Sequence, residues 1–128
     1  MAEQQTQTQG TFVWNEIMSK DIGKARSFYS ELLGWTTREM DMGPGGKYTI
    51  FTANGKDVAG GMGAGPGMEQ VPSHWLAYVS VPNVDDSVKK AQSLSGTVIV
   101  PPTDIPNVGR FAIIQDPTGA ALGLLTSK

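Results

Sequence analysis

One pattern occurs twice in this chain of 128 residues, and the repetition leaves few folds open. The first copy runs F-V-W-N-E-I-M-S from Phe12, then Asp21, then A-R-S-F-Y-S-E-L-L to Gly34. The second runs W-L-A-Y-V-S-V from Trp75, then Asn83 to Asp86, then V-K-K-A-Q-S-L to Gly96. Trp14 falls against Leu76 and Gly34 against Gly96, an offset of roughly 62 residues. That period is longer than a solenoid unit, so it marks a duplicated small module. Two half-sheets, each with an apolar face, must bury those faces jointly, and the crevice between them is where a small molecule would bind.

Local signals give each copy the order βαβββ. Strand alternation begins at Phe12, Asp21 can cap a helix, and Ile22, Ala25, Phe28, Tyr29, Leu32 and Leu33 fall on one helical face that closes at Gly34. Strands are predicted over Trp35 to Met40, Lys47 to Ala53 and Asp57 to Met62, separated by M-G-P-G-G and A-N-G-K turns. In the second copy they are predicted over His74 to Val81, Thr97 to Val100, Arg110 to Gln115 and Ala120 to Leu125. The helix there covers Val84 to Ser95 and ends at Gly96. P-P-T-D-I-P-N-V-G is expected to be a proline-stiffened connection, and D-P-T-G a hairpin turn. Residues 1–10 are expected to be a disordered tail, because their Gln/Thr content offers little to bury. Residues 11–126 form the domain, with module one over 11–64 and module two over 73–126. Gly63 to Pro72 is either linker or flap.

Composition narrows the functional classes. A net charge of -2 gives no electrostatic footprint for nucleic acid. No apolar run reaches the ~20 residues needed to cross a bilayer, and the first ten residues do not resemble a signal peptide, so a cytoplasmic protein is expected. The absence of cysteine removes disulfides, thiolate catalysis and sulfur-ligated metals.

The segments D-x-x-x-A-x-x-F-Y-x-x-L-L-G-W (Asp21 to Trp35) and G-R-F-A-I-I-Q-D-P-T-G-A (Gly109 to Ala120) resemble the vicinal oxygen chelate superfamily, which includes glyoxalases, bleomycin-resistance proteins and extradiol dioxygenases. The resemblance covers Phe12 to Leu125. It implies an α+β fold of two tandem βαβββ modules, an incomplete and mainly antiparallel barrel around a cavity, commonly assembled as a homodimer. It also implies a divalent metal held by His or Gln on the first strand of each module and Glu on the last. This chain departs from that donor set. Trp14 and Leu76 hold the first-strand positions, Gly123 the last-strand position of module two, and its module-one counterpart lies among Gly60, Gly61 and Met62. Indole, isobutyl and hydrogen do not coordinate a metal. No metal or cofactor is expected.

Residues two apart on a strand share a face, which groups Trp14, Glu16 and Met18. On the fold the resemblance implies, that face is concave. Glu16 is then either an acid in an apolar cavity, suited to proton transfer or to a cationic ligand, or half of an internal salt bridge with Arg110 or Lys47. Tyr48, Tyr78, Ser80, Met62 and Leu76 are further candidate lining residues, each also an ordinary packing residue. Arg110 could bind a carboxylate. His74, the single histidine, could serve as a base or sit on the rim. Phe28 and Tyr29 are expected in the core. Three functions follow: a metal-free glyoxalase/bleomycin-resistance-like protein binding a small organic molecule, a metal-dependent isomerase or dioxygenase using Glu16, His74 and Asp57, or a metal-free acid/base enzyme acting through Glu16.

Overall fold

Each helix begins on a side-chain cap. The computed structural model describes residues 8–41, 46–63, 70–105 and 108–127. In helix α1 (Ile22–Leu33) the Lys24 amide donates to Asp21 Oδ1 at 3.0 Å. In α2 (Val84–Ser93) the Asp86 amide donates to Asn83 Oδ1 at 3.1 Å. These bonds satisfy amides that a helix start leaves orphaned. Gly34 ends α1 in the left-handed region at φ 72°. Gly96 does not do the same for α2, and that expectation is corrected: Leu94 is the cap residue and Ser95 takes the positive φ of 71°. Gly96 answers a different demand. A Cβ on it would sit 2.9 Å from the Ala91 carbonyl oxygen and 3.2 Å from that of Gln115, so only glycine fits between helix end and strand.

The fold is mixed α+β, built from two βαβββ modules, and the chain divides into two compact units. One unit spans Trp14–Leu76. Its strands lie in the order β2-β3-β4-β1, where β1 is Phe12–Ser19, β2 Thr36–Asp41, β3 Lys47–Ala53 and β4 Lys56–Gly63. β2, β3 and β4 pair antiparallel, and β1 runs parallel to β4 with Glu16 beside Gly60 and Met18 beside Met62. Ile17, Phe51 and Ala59 form the buried core, against which Ile22, Ala25, Tyr29 and Trp35 pack. Spacings of three and four residues place Ile22, Ala25 and Tyr29 on one stripe of α1. The stripe is narrower than the sequence suggests: Phe28 is 59% exposed and Leu32 and Leu33 face solvent, which corrects Phe28 as a core residue.

The other unit joins Met1–Val13 to Ala77–Lys128. Its strand order is β5-β8-β7-β6, where β5 is His74–Ser80, β6 Thr97–Ile105, β7 Gly109–Gln115 and β8 Ala121–Ser127. β5 and β8 are parallel, and the remaining pairs antiparallel. Val84 and Val88 of α2 pack on Ala112 and Leu124. β6 continues through Pro101 and Pro102, where a connection was expected. An edge strand tolerates residues that cannot donate to a ladder, and the pairing with β7 shifts register on both sides of Val100. The D-P-T-G turn is built on Asp116, whose Oδ1 accepts from the Thr118 amide, the Thr118 hydroxyl and the Ala120 amide. Those bonds, the Thr118 hydroxyl first, hold the Asp116 carboxyl below its usual range.

Part of the expected tail is tied down. The Gly10 amide donates to the Ser80 carbonyl at 2.7 Å, and the Ser80 amide donates to that of Thr11 at 2.9 Å. Residues 8–10 are therefore not a loose end, whereas 1–7 lie outside the described residues. The linker or flap expected over Gly63 to Pro72 falls mostly on 64–69, and the M-G-P-G-G turn mostly on 42–45, both outside the described residues.

Candidate functional site

β1 sends alternate side chains to opposite faces. Ile17 goes to the α1 side with Phe51, so Trp14, Glu16 and Met18 go to the other. Three residues from two strands are hydrogen-bonded there. Trp14 Nε1 donates to the Tyr48 hydroxyl at 2.9 Å, and that hydroxyl donates to Glu16 Oε1 at 2.8 Å. Every proton in this chain points toward the carboxylate. Burial first, then the neighbouring Glu16 charge, pushes the Tyr48 phenol far above its usual range, so Tyr48 acts here as a protonated donor. Glu16 is 7% exposed and Tyr48 half-buried.

Gly60 makes this possible. A Cβ there would lie 1.8 Å from the Tyr48 hydroxyl oxygen and 2.2 Å from Cζ, so the phenol lies directly on the glycine backbone. In the other unit Tyr78 pairs across β5 and β8 with Gly123, and a Cβ on Gly123 would meet the Tyr78 ring at 2.3 Å. The two registers are equivalent, Glu16 beside Gly60 and Tyr78 beside Gly123. They identify Gly60, among the three candidates Gly60, Gly61 and Met62, as the counterpart of Gly123. In each module a tyrosine ring covers the last-strand glycine.

The remaining candidates are dispersed. Met18 and Met62 are register partners on β1 and β4. Leu76 is buried. The Ser80 hydroxyl donates to the Gln9 side-chain oxygen, and Tyr78 meets Phe111 edge-on at 6.4 Å. His74 places Nδ1 2.8 Å from the Pro72 carbonyl oxygen. Arg110 requires a correction. It shares strand parity with Ala112, which packs on α2, and its guanidinium grips Asp85 at 2.8 and 3.1 Å and Asp104 at 2.9 Å. Lys47 faces Glu39 at 3.7 Å. Sequence reasoning left Gly60 as one of three candidates and did not foresee that the Tyr48 ring from β3 would lie on it. It also missed Asp85 and Asp104, which local spacing does not connect to Arg110.

The corrected Arg110 has a measurable consequence. All three side chains are substantially exposed, and solvent screens such pairs. Arg110→Ala is expected to lower the melting temperature by less than about 4 °C. A loss several times larger in a thermal scan would restore a buried ion pair.

A metal would find a poor donor set here. The positions at issue carry Trp14, Leu76, Gly60 and Gly123, the glycines lie under rings, and among the described residues no group of three or more His, Cys, Asp or Glu converges. A shallow groove outside α1, lined by Gly23, Arg26, Ser27, Ser30, Glu31 and Thr37, has its one cation engaged by Glu39 and Thr37. Among the described residues no helix is long and apolar enough to cross a membrane.

Residues 11–124 match the model of the Glyoxalase/Bleomycin resistance protein/Dioxygenase superfamily, and the chain belongs to that family. "Putative glyoxylase CFP32" of Mycobacterium tuberculosis is 39% identical over 116 residues, which is 91% of this chain and 44% of that protein. "Anthracycline biosynthesis protein DauV" of Streptomyces sp. is 34% identical over 128 residues, 90% of this chain and 46% of that protein. The chain thus spans less than half the length of the curated relatives it matches. Methylmalonyl-CoA epimerase from Mycobacterium tuberculosis shares the fold at a TM-score of 0.66, with 12% identity and 98% and 95% of the two chains covered. The Mn(II)-bound glyoxalase from Novosphingobium aromaticivorans does so at 0.61, with 15% identity and 94% and 40% covered.

Proposed function

We propose that this chain binds a small organic molecule without a resident metal, on the strand face that carries Trp14, Glu16, Met18, Tyr48 and Met62. The observation that carries this reading is the pair of last-strand glycines, Gly60 and Gly123, each covered by a tyrosine ring where a metal-dependent relative would project a carboxylate. The composition of that face supports it as well: an indole, two thioethers and a phenol share it with one carboxylate, the mix of apolar wall and few polar groups that small-molecule sites use. The relatives' names, a glyoxylase and an anthracycline biosynthesis protein, belong to small-molecule chemistry. A second reading, general acid/base chemistry through Glu16, is favoured by the Tyr48 hydrogen bond, which fixes the carboxylate's orientation.

The test uses protein purified without chelators or immobilised-metal chromatography. Elemental analysis is expected to give well under one equivalent of zinc, nickel, iron or manganese per chain. EDTA is expected to leave the melting temperature within about 1 °C, since removing a ligand destabilises only a fold that bound it. A stoichiometric ion whose removal lowers the melting temperature would overturn the metal-free reading.

A further inference from the structure

We infer that Met18, Met62 and Met40 form a thioether strip that selects flat aromatic ligands over saturated ones of the same size. This rests on the small-molecule reading above and names the class of ligand that the face takes. The basis is the register. Met18 on β1 is the partner of Met62 on β4. β3 pairs antiparallel with β4 and sets Thr49 opposite Gly61, so the next positions along align Tyr48 with Met62. Tyr48 is in turn the partner of Met40 on β2. These residues therefore stand in one row across four neighbouring strands, and with strands about 4.8 Å apart the row is about 14 Å long. Among the described residues every methionine falls in this row.

Two glycines fix which face the row occupies. A Cβ on Gly61 would meet Ile17, Ile22 and Phe51, so that side lies under α1, whereas a Cβ on Gly60 would meet the Tyr48 ring. Met62, two positions beyond Gly60, shares its side and lies away from the helix. Met18, Met40, Tyr48 and Met62 are all half-buried, so the thioethers are not sealed inside a core as gap-filling methionines are. The polar hydrogens of Trp14 and Tyr48, on the same face, are already engaged, the first by the Tyr48 hydroxyl and the second by Glu16. What these two side chains offer a ligand is ring surface. Sulfur is polarisable, its unbranched chain adjusts to a flat partner, and its contact with an aromatic ring adds a stabilisation that a saturated ring does not receive. Burial of apolar area alone works the other way, because a saturated ring carries more hydrogens and more area than an aromatic ring of the same skeleton. A preference for the flat ligand thus separates a thioether strip from a plain apolar wall.

The experiment titrates the whole chain, ¹³C-labelled at its six methionine methyls, with 2-naphthol and with decahydro-2-naphthol, which share a skeleton and a hydroxyl. Met18→Leu, Met40→Leu and Met62→Leu assign the three methyl signals of the row. 2-Naphthol is expected to bind at least about fivefold more tightly than decahydro-2-naphthol, the worth of one or two sulfur–aromatic contacts. It is also expected to move the Met18 and Met62 methyls upfield, as protons above an aromatic ring are shifted. Met18→Leu combined with Met62→Leu removes sulfur at near-constant volume, and the preference is expected to fall to about twofold or less while the affinity for decahydro-2-naphthol stays within about twofold of the parent. Should the double variant not fold, each single variant is expected to lower the preference about twofold by itself. Equal binding of the two probes, or a preference unchanged in the variants, overturns the inference and leaves small-molecule binding standing. A preference with the Met18 and Met62 methyls unmoved places the ligand elsewhere and overturns both. If neither probe perturbs the spectrum up to its solubility, both fall.

Discussion

Gly123→Ala is expected to lower the melting temperature by about 10 °C, the effect of roughly 3 kcal/mol of overpacking in a domain of this size. The new Cβ would lie 2.3 Å from Tyr78 Cδ2, 2.5 Å from Cε2 and 2.7 Å from Cγ, all closer than carbon atoms approach. Because Cγ is the root of the ring, rotating the ring's far end away does not relieve the clash. Tyr78 is 5% exposed, so it has little room to leave. Gly119→Ala supplies the control. Its φ of +98° is unfavourable for alanine, but nothing lies within 4 Å of the added Cβ, so only the backbone cost of about 1 kcal/mol is expected. Differential scanning calorimetry distinguishes the two. A Gly123→Ala protein melting within about 3 °C of the parent would mean that the tyrosine does not rest on the strand, and the metal-free reading would lose its main support.

Legibility in the sequence followed the range of the interactions. Asp21 to Gly34 was legible as a capped helix because the cap, the period and the left-handed end all lie within fourteen consecutive positions. The duplication made the order of elements in both modules legible, since each copy corroborated the other. What needed the fold was side-chain partnership between elements. Arg110 was expected on the Glu16 side and lies on the α2 side, held by Asp85 from a helix 25 positions earlier. Pro101 and Pro102 looked like a connection because proline disfavours central strands, yet β6 is an edge, where that objection lapses. For the site itself, alternation placed Trp14, Glu16 and Met18 together. It could not show that Tyr48 from β3 bridges the first two, because a bond between residues 32 and 34 positions apart depends on the β3-β4-β1 register. Nor could it distinguish a glycine that turns the chain from one that carries a ring. Gly34 and Gly60 are the same letter answering those two demands.

Phenylalanine gives the sharpest test of that difference. Phe51 is expected to cost about 3 to 5 kcal/mol when replaced by alanine, whereas Phe28→Ala is expected to cost less than about 1 kcal/mol. Both residues are aromatic and lie at apolar positions of regular elements, so sequence pattern alone ranks them together. Their surroundings separate them. Phe51 is fully buried on β3, with ring centroids of Trp35 at 5.3 Å, Tyr29 at 6.3 Å and Trp75 at 6.5 Å, so truncation opens a cavity among rings that cannot collapse into it. Phe28 touches Tyr29 edge-on at 5.1 Å but leaves 59% of its surface in water, so its loss removes little buried area. Urea unfolding of the two variants measures the contrast directly, through midpoints compared at a common slope. Equal losses would place α1 with Phe28 inward, as its apolar spacing first suggested. That rotation would also displace Ile22, Ala25 and Tyr29 from Ile17, and with them the packing that commits Glu16 and Trp14 to the opposite face of β1.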